Sequence, residues 1–528
     1  MIKLFKRRSS GILLHPSCLP GPYGIGDLGP QAIRFAELLQ QAGQSVWQVL
    51  PLGPTGYGNS PYQCSSVFAG NPLLISLDSL HEDGLLSNKT LADIPVFNPN
   101  QVDYGRVIYH RQHLFQQLAE NFRRRADTEL QDRFDTFVQL HDATWLDDFA
   151  VFTALKASYH GQSWTNWGKH LIQRDPAAMD TARQNFASAI HSIKLQQFLF
   201  YCQWQRLHAG CRDLGIHLFG DAAIFVAHDS ADVWANQQYF LLDDSGQPTV
   251  VAGVPKDYFS ATGQRWGNPL YDWKALEQNG YDWWRLRLQH TFDEFDLVRL
   301  DHFRGFQAHW AIPATDVTAE HGSWQAGPGL AFFDAMKTHF PDMPIVAEDL
   351  GFITPEVEAL RDAYGFPGMR ILQFAFGSDV MANSFLPENY VPNCVCYTGT
   401  HDNDTILGAF DIHNTSPTRD QQTIRAERDR ALAYLHSDGT ELHWDFIAVA
   451  ARSVAAMVIF PLQDVLGLGT ESRMNTPGTL TGNWCWRCPA NMLPEEVGQR
   501  LLQLTVETSR SGRGTAIMNE SHTGNSFP

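Results

Sequence analysis

The chain contains no apolar run of membrane length. Its longest, Val454 to Leu462, falls far short of the roughly 20 residues a spanning helix requires, and Pro461 interrupts it. No secretory leader is expected either, because the basic start MIKLFKRRSS is followed only by the brief apolar patch Ile12 to Leu14. Both shortages predict a soluble, cytoplasmic protein. Basic charge is scarce: 39 Lys and Arg against 57 Asp and Glu leave a formal charge of −18. That balance repels polyanions and anionic surfaces, so neither nucleic acid nor a membrane is an expected partner. Metal-ligand spacing is lacking as well. Of eight cysteines, the close pairs Cys394/Cys396 and Cys485/Cys488 have no second CxxC or His pair at finger distance, which predicts ordinary free thiols. His217 with Asp221, and His401 with Asp402, fall short of a three-ligand motif, so no metal is expected. There is no P-loop and no G-x-S-x-G elbow, and the glycines of GPYGIGDLG (Gly21 to Gly29) follow a Pro-rich coil rather than a strand, so nucleotide chemistry is not indicated.

What is present is a large apolar inventory. At 528 residues, 44% hydrophobic and 18% charged, the chain can bury a sizeable core. Length alone suggests about three domains, but barrels with insertions run long. Short β-rich runs recur at Ser45–Leu52, Gly215–Val226, Phe295–Phe303, Met343–Gly351, Met369–Phe376, Cys394–Asn403 and Met457–Leu468, with helical patterns between them. Strand-then-helix order predicts a parallel sheet. In most of these runs the apolar part comes first and polar residues gather at the C-terminal end, where a (β/α)₈ TIM barrel, an α/β fold, carries its active site. The expected organisation is one catalytic barrel over residues 1–508. It would hold a mainly helical insertion over about 76–211, clearest in YHRQHLFQQLAENFRRR and KLQQFLFYCQWQRLHAGC, and a Gly- and aromatic-rich lid loop over about 243–273. Residues 509–528 read as a polar, frayed tail.

FDLVRLDHFRG (Phe295 to Gly305) poses the chemical question. Period-two alternation puts Arg299 and Asp301 on the same face as Leu297 and Phe303, and a buried charge costs several kcal/mol unless paired. Asp301, Glu348 and Asp402 each lie at or just past the end of a different expected strand. Each has a bland alternative: Asp301 pairs with Arg299, Glu348 caps the next helix, Asp402 forms an Asx turn in THDND. In a barrel, however, the three ends converge on one rim. Glycoside cleavage with retention uses one ionised carboxylate and one protonated carboxyl about 5 Å apart. Arg299 favours the charged form of Asp301, while Glu348, after an apolar strand, is the better candidate for a raised pKa. The 15 Trp and 15 Tyr, many outside periodic segments, suit stacking on sugar rings, although most aromatics in any protein fill cores.

Taken together, RLDHFRG, AEDLG, GTHDN, GYGNSPYQ, AGNPLLI, AGVPKDYFSATGQRWGNPLY, GFPGMRILQFAF and RMNTPGT, in that family's order from about Gly11 to Leu504, resemble the 4-α-glucanotransferases. These are the amylomaltases or disproportionating enzymes of glycoside hydrolase family 77. The resemblance implies a retaining barrel enzyme with Asp301 as nucleophile, Glu348 as general acid/base and Asp402 as transition-state stabiliser. It implies substrate contacts from Tyr62, Asp221, Asp257, Gln264, Trp266, Arg299, Phe374, His401 and Asn475. Tyr57 and Tyr104 match positions the family uses for a second glucan contact outside the cleft. Cys64, directly after SPYQ, departs from the expected pattern. With so short a stretch before the first motif, neither a plastid transit segment nor an added glucan-binding domain is expected. The implied partners are α-1,4-glucans and maltooligosaccharides; no cofactor is expected, and a monomer is expected with an oligomer left open. The implied reaction is segment transfer through a covalent intermediate, with cyclisation to cycloamylose when the chain attacks itself. A plain α-1,4-glucan hydrolase of the amylase type is the alternative.

Overall fold

The computed structural model describes residues 2–256, 262–378, 380–416 and 419–511. Twelve strands are found among them: β1 Ser9–Leu13, β2 Val46–Gln48, β3 His217–Ala223, β4 Val250–Val254, β5 Gln264–Pro269, β6 Leu297–Asp301, β7 Ala308–Pro313, β8 Ser323–Ala326, β9 Ile345–Ala347, β10 Gly368–Ile371, β11 Cys394–Tyr397 and β12 Met457–Pro461. Eight form one parallel sheet in the order β10-β11-β12-β1-β2-β3-β6-β9. The Ala347 N–H donates to the Pro367 carbonyl at 2.9 Å, joining β9 to the segment entering β10 and bringing the sheet round on itself. The fold is therefore the expected TIM barrel, its strands almost wholly buried.

Seven of these strands coincide with the runs that the sequence marks, β10 beginning one residue earlier at Gly368. β1 is the exception. Its SSGIL has no β-branched run and little apolar character until Ile12, yet all five residues are buried because β12 and β2 flank it. Gly11 is required there: a Cβ would stand 2.3 Å from the Val46 carbonyl oxygen on the adjacent strand.

The helical insertion follows β2. Its main helices are Tyr104–Arg125, Thr128–His141, Asp147–Ser158 and Ala187–Asp213, and the last runs directly into β3. Two glutamines buried on that helix key it to the loop after β2. Gln197 exchanges hydrogen bonds with the N–H and C=O of Gly70 at 2.8 and 3.0 Å, and Gln203 does the same with Ser76 at 2.6 and 3.1 Å. A buried amide left unmatched there would cost about 1–3 kcal/mol, so the pairs fix the register of helix against loop.

Two expectations need correction. The region 243–273 is not loop throughout: β4 and β5 join β7 and β8 in an antiparallel sheet of order β5-β4-β7-β8. A register shift between Val251 and Gly253 breaks the alternation that would have betrayed these strands. The second correction concerns Arg510, assigned to the frayed tail but fully buried. Its guanidinium donates to the carbonyls of Ala451 (2.7 Å), Ser453 (3.0 Å), Ala455 (2.8 Å), Ser9 (3.1 Å) and Ala456 (3.4 Å), tying the N-terminal ends of β1 and β12 together. Burial, aided by nearby Arg8, lowers its pKa to about 9, which leaves it charged at neutral pH. Arg510→Ala would strand these carbonyls at the barrel floor. A loss of about 3 kcal/mol or more is expected in urea unfolding, and a stability unchanged from the parent would contradict this role.

Candidate active site

The strand register decides which side chains meet. Asp221 on β3 lies opposite Arg299 on β6, and Ala223 opposite Asp301. Leu300 lies opposite Ala347 on β9, so Asp301 and Glu348 leave their adjacent strands at the same level. Adjacent strands are about 4.8 Å apart, close to the separation of about 5–5.5 Å found between the carboxyl groups of retaining glycosidases.

Arg299 links three of the predicted residues. Its Nη1 donates to Asp221 Oδ2 and Oδ1 at 2.8 and 3.1 Å, and Nη2 lies 2.7 Å from Asp301 Oδ1. The Tyr62 hydroxyl donates to Asp221 Oδ2 at 2.8 Å. The Asp221 side chain is 0% exposed, that of Asp301 28%. One guanidinium thus binds a wholly buried carboxylate on one side and a carboxylate open to the cleft on the other. Burial opposes the charge on Arg299, but Asp221 and Asp301 outweigh it and raise its pKa well above the usual value.

Glu348 is held differently. Its Oε2 accepts from the His302 N–H at 2.8 Å and its Oε1 from the Leu350 N–H at 2.9 Å. The helix that follows begins at Pro355, so Glu348 does not cap it. Burial raises its pKa to about 7; Arg299 opposes the shift and Asp301 adds to it. The N–H that reaches Glu348 comes from a left-handed residue, His302 (φ 50°, ψ 47°), a conformation that costs a non-glycine residue about 1 kcal/mol or more. The His302 imidazole is kept neutral by burial, its pKa lowered to about 3, and the Trp266 ring meets it edge-on at 4.8 Å.

Beyond β11, the loop-closing bonds fall to Asn403, whose Oδ1 accepts from the N–H and Oγ1 of Thr400, both at 2.9 Å. Asp402 is thereby left projecting, with its side chain 42% exposed. Its Oδ1 accepts from Asn475 Nδ2 at 2.7 Å and lies 3.4 Å from His401 Nε2. The His401 ring stacks on Tyr62, with centroids 5.2 Å apart and an 18° tilt, and Trp484 closes the group at 6.1 Å from Tyr62 and 5.9 Å from His401.

A family model described as 4-alpha-glucanotransferase matches residues 14–492. The chain is 46% identical to the 4-alpha-glucanotransferase of Synechocystis over 95% of its length and 98% of that protein, and 46% identical to that of Thermus thermophilus over 95% and 99%. The amylomaltase of Streptococcus agalactiae, solved in complex with acarbose, superposes with a TM-score of 0.90 at 35% identity, covering 96% of this chain and all of that one. The chain belongs to the 4-alpha-glucanotransferase family. It is a glucan-transferring enzyme.

In this glucanotransferase, Tyr62, Asp221, Arg299, His401 and Asn475 converge with the carboxylates, and Trp266 reaches them through His302. Gln264 Oε1 accepts from Trp266 Nε1 at 3.2 Å. Phe374, just after β10, meets Phe385 edge-on at 5.5 Å. Asp257 and the Tyr57 side chain lie outside the described residues. Tyr104 corrects its expectation: its ring is 8% exposed, packed with Ile25, Leu73, Phe97, Val102 and Val107, so it offers no face to a second glucan. Its hydroxyl instead donates to the Trp484 carbonyl at 3.0 Å. Cys64 is buried, and its thiol pKa is raised to about 12 by desolvation, which makes it inert. Among the described residues no group of three or more His, Cys, Asp or Glu is placed to hold a metal ion, and no helix is long and apolar enough to cross a membrane.

Sequence reasoning missed three contributors. His302 stands inside RLDHFRG, but its role is carried by a backbone angle that no residue type announces. Arg473, in RMNTPGT, donates to the Asp402 carbonyl at 2.7 Å and the Asn475 carbonyl at 2.7 Å, joining the two loops. Trp484 was visible only as one of many aromatics outside periodic segments.

The shared guanidinium predicts unequal costs for two substitutions. Tyr62→Phe removes one hydrogen bond to Asp221 and should cost about 1 kcal/mol of stability. Arg299→Ala leaves Asp221 buried without a counter-charge and should cost about 3–5 kcal/mol. Equal losses in urea unfolding would show that Asp221 does not depend on Arg299.

Proposed function

We propose that the enzyme disproportionates α-1,4-glucans and maltooligosaccharides with retention, through a covalent glucanosyl intermediate on Asp301. Glu348 protonates the leaving 4-oxygen and then takes the proton from the incoming 4-hydroxyl. Asp402, fixed by Asn475 and His401, holds sugar hydroxyls of the distorted ring, and Tyr62 with His401 gives that ring a flat surface. The observation that carries this reading is the pairing on adjacent strand ends of a buried carboxyl with pKa near 7 and a carboxylate anchored on a guanidinium at 2.7 Å. No step calls for a metal or organic cofactor. An acceptor 4-hydroxyl at the donor chain's own non-reducing end would give a cyclic product. The Trp266–His302 contact supports an enclosed acceptor side, which favours sugar over water.

Maltotriose fed to the purified protein should yield glucose and a ladder of longer maltooligosaccharides. Shortening alone, with new reducing ends, would identify a hydrolase instead. Chelator is expected to leave the rate unchanged.

The proton donor sets a pH limb. Because the pKa of Glu348 is raised from 4.5 to about 7, its acid form persists to near neutrality, and kcat/KM should fall as pH rises through about 7. The same shift makes folding stability fall as pH rises between these values, since the folded state retains the proton longer. Glu348→Gln should lower kcat/KM about 10²–10⁴-fold and abolish that limb. With maltotriosyl fluoride, whose leaving group needs little protonation, the variant should accumulate an enzyme one trisaccharide heavier by intact mass. An alkaline limb unchanged in Glu348→Gln would refute its role.

A further inference from the structure

Among the described residues, four large aromatic side chains are exposed: Tyr109, Tyr201, Trp324 and Phe352. Two of them share one neighbour. The Arg304 guanidinium lies 3.8 Å from the centroid of the Trp324 ring and 5.8 Å from that of Phe352, and its Nη1 donates to the Phe352 carbonyl. Arg304 is itself buried, and no carboxylate among the described residues lies within ion-pair distance of it. A second tryptophan, Trp310, packs against the Trp324 ring at 5.1 Å and 67°, with its own Nε1 donating to the Ala319 carbonyl.

The place of this group matters more than its composition. Arg304 stands three residues after Asp301, in the turn Phe303–Phe306, and Phe352 stands four residues after Glu348. The two segments are tied together where they leave the barrel, the Phe303 N–H donating to the Glu348 carbonyl at 3.2 Å. Trp324 enters from β8, an edge of the small sheet whose other edge, β5, carries Gln264 and Trp266. The exposed rings therefore stand on segments that leave the barrel beside Asp301 and Glu348 and on the sheet that carries Trp266.

A structural staple, an arginine packed on rings to stiffen the rim, would explain the cation–π contact. It does not explain the exposure. Trp324 remains 37% and Phe352 68% accessible, and all four residues of β8 are exposed. A bare tryptophan on an edge strand invites self-association. A flat apolar ring beside a planar, donor-rich guanidinium suits a pyranose, which offers an apolar face rimmed by hydroxyls.

We propose that Trp324 and Phe352, oriented by Arg304, form an outlying subsite for glucose units of an α-1,4-glucan chain emerging from the cleft. This rests on the reading that such glucans are the substrate. Its consequence is a preference for long chains: a trisaccharide that fills only the cleft would not reach the rings, whereas amylose would.

The test compares Trp324→Ala and Phe352→Ala with the parent enzyme on maltotriose and on amylose. Both side chains are exposed, so the variants should fold, and Trp324→Phe keeps a flat ring as a control. Losing one stacked ring should raise KM for amylose roughly threefold to tenfold, with kcat and maltotriose disproportionation within about twofold of the parent, and Trp324→Phe should recover most of the loss. An amylose KM equal to the parent's in both alanine variants would overturn the subsite. So would equal increases for both substrates, which would mark a rim that merely shapes the cleft. Calorimetric titration of long amylose into Asp301→Asn, with and without Trp324→Ala, reads binding apart from turnover. Weaker binding in the double variant supports the subsite even if the maltotriose ladder fails to form, and identical binding refutes it.

Discussion

The site depends on a single buried cation. Arg299 cannot sit inside the barrel unless carboxylates meet it, and the register of β3 against β6 supplies Asp221 directly across the ladder. The remaining arm of the guanidinium is thereby aimed outward at Asp301. The ion pair that the sequence offered is present twice over, to Asp221 and to Asp301, and it leaves Asp301 in the place that the proposed reaction needs. The buried end provides the stability and the exposed end faces the cleft. Any change that moves β3 relative to β6 would unsettle Tyr62, Asp221, Arg299 and Asp301 together, since each is bonded to the next.

Glu348 shows the opposite use of burial. Two backbone N–H donors and nearby Arg299 all favour its charged form, and desolvation still wins, so the carboxyl keeps its proton toward neutral pH. Part of the cost is carried by the backbone: His302 adopts a left-handed turn so that its N–H reaches the carboxyl while its neutral ring packs against Trp266. Strain, hydrogen bond and aromatic contact fall on one residue. A substitution at His302 would accordingly disturb both the aim of Glu348 and the wall beside it.

Legibility in the sequence followed the physics of each element. Strands that are apolar and then abruptly polar declared themselves, because burial inside the barrel and exposure at the rim both leave a composition signal. β1 did not, since Ser9, Ser10 and Gly11 are buried by their neighbours rather than by their own hydrophobicity. β4 was hidden by a register shift, and Arg510 by its polar surroundings in sequence, although in space it meets carbonyl groups from opposite ends of the chain. Tyr104 was expected at a second glucan contact by resemblance alone, yet it opens a long amphipathic helix and faces the inner side of it. The three carboxylates were legible because their strand ends were. What they are bonded to was not, because backbone donors such as those of His302 and Leu350 leave no trace in residue type.

The charge balance of the cleft also bears on the proposed reaction. Asp221, Asp301 and Glu348 lie around Arg299, Asp402 lies beside His401, whose ring stacks on Tyr62, and His302 is held neutral. With Glu348 protonated near neutrality, the cleft still carries more negative than positive charge. That excess would repel an anionic ligand, but a neutral sugar enters without penalty. As the glycosidic bond lengthens, positive charge grows on the anomeric carbon and ring oxygen, and carboxylates already fixed in place stabilise it without having to reorganise. In the proposed reaction such a cleft would act on the transition state more than on the bound sugar, which is the condition for raising kcat rather than merely tightening binding.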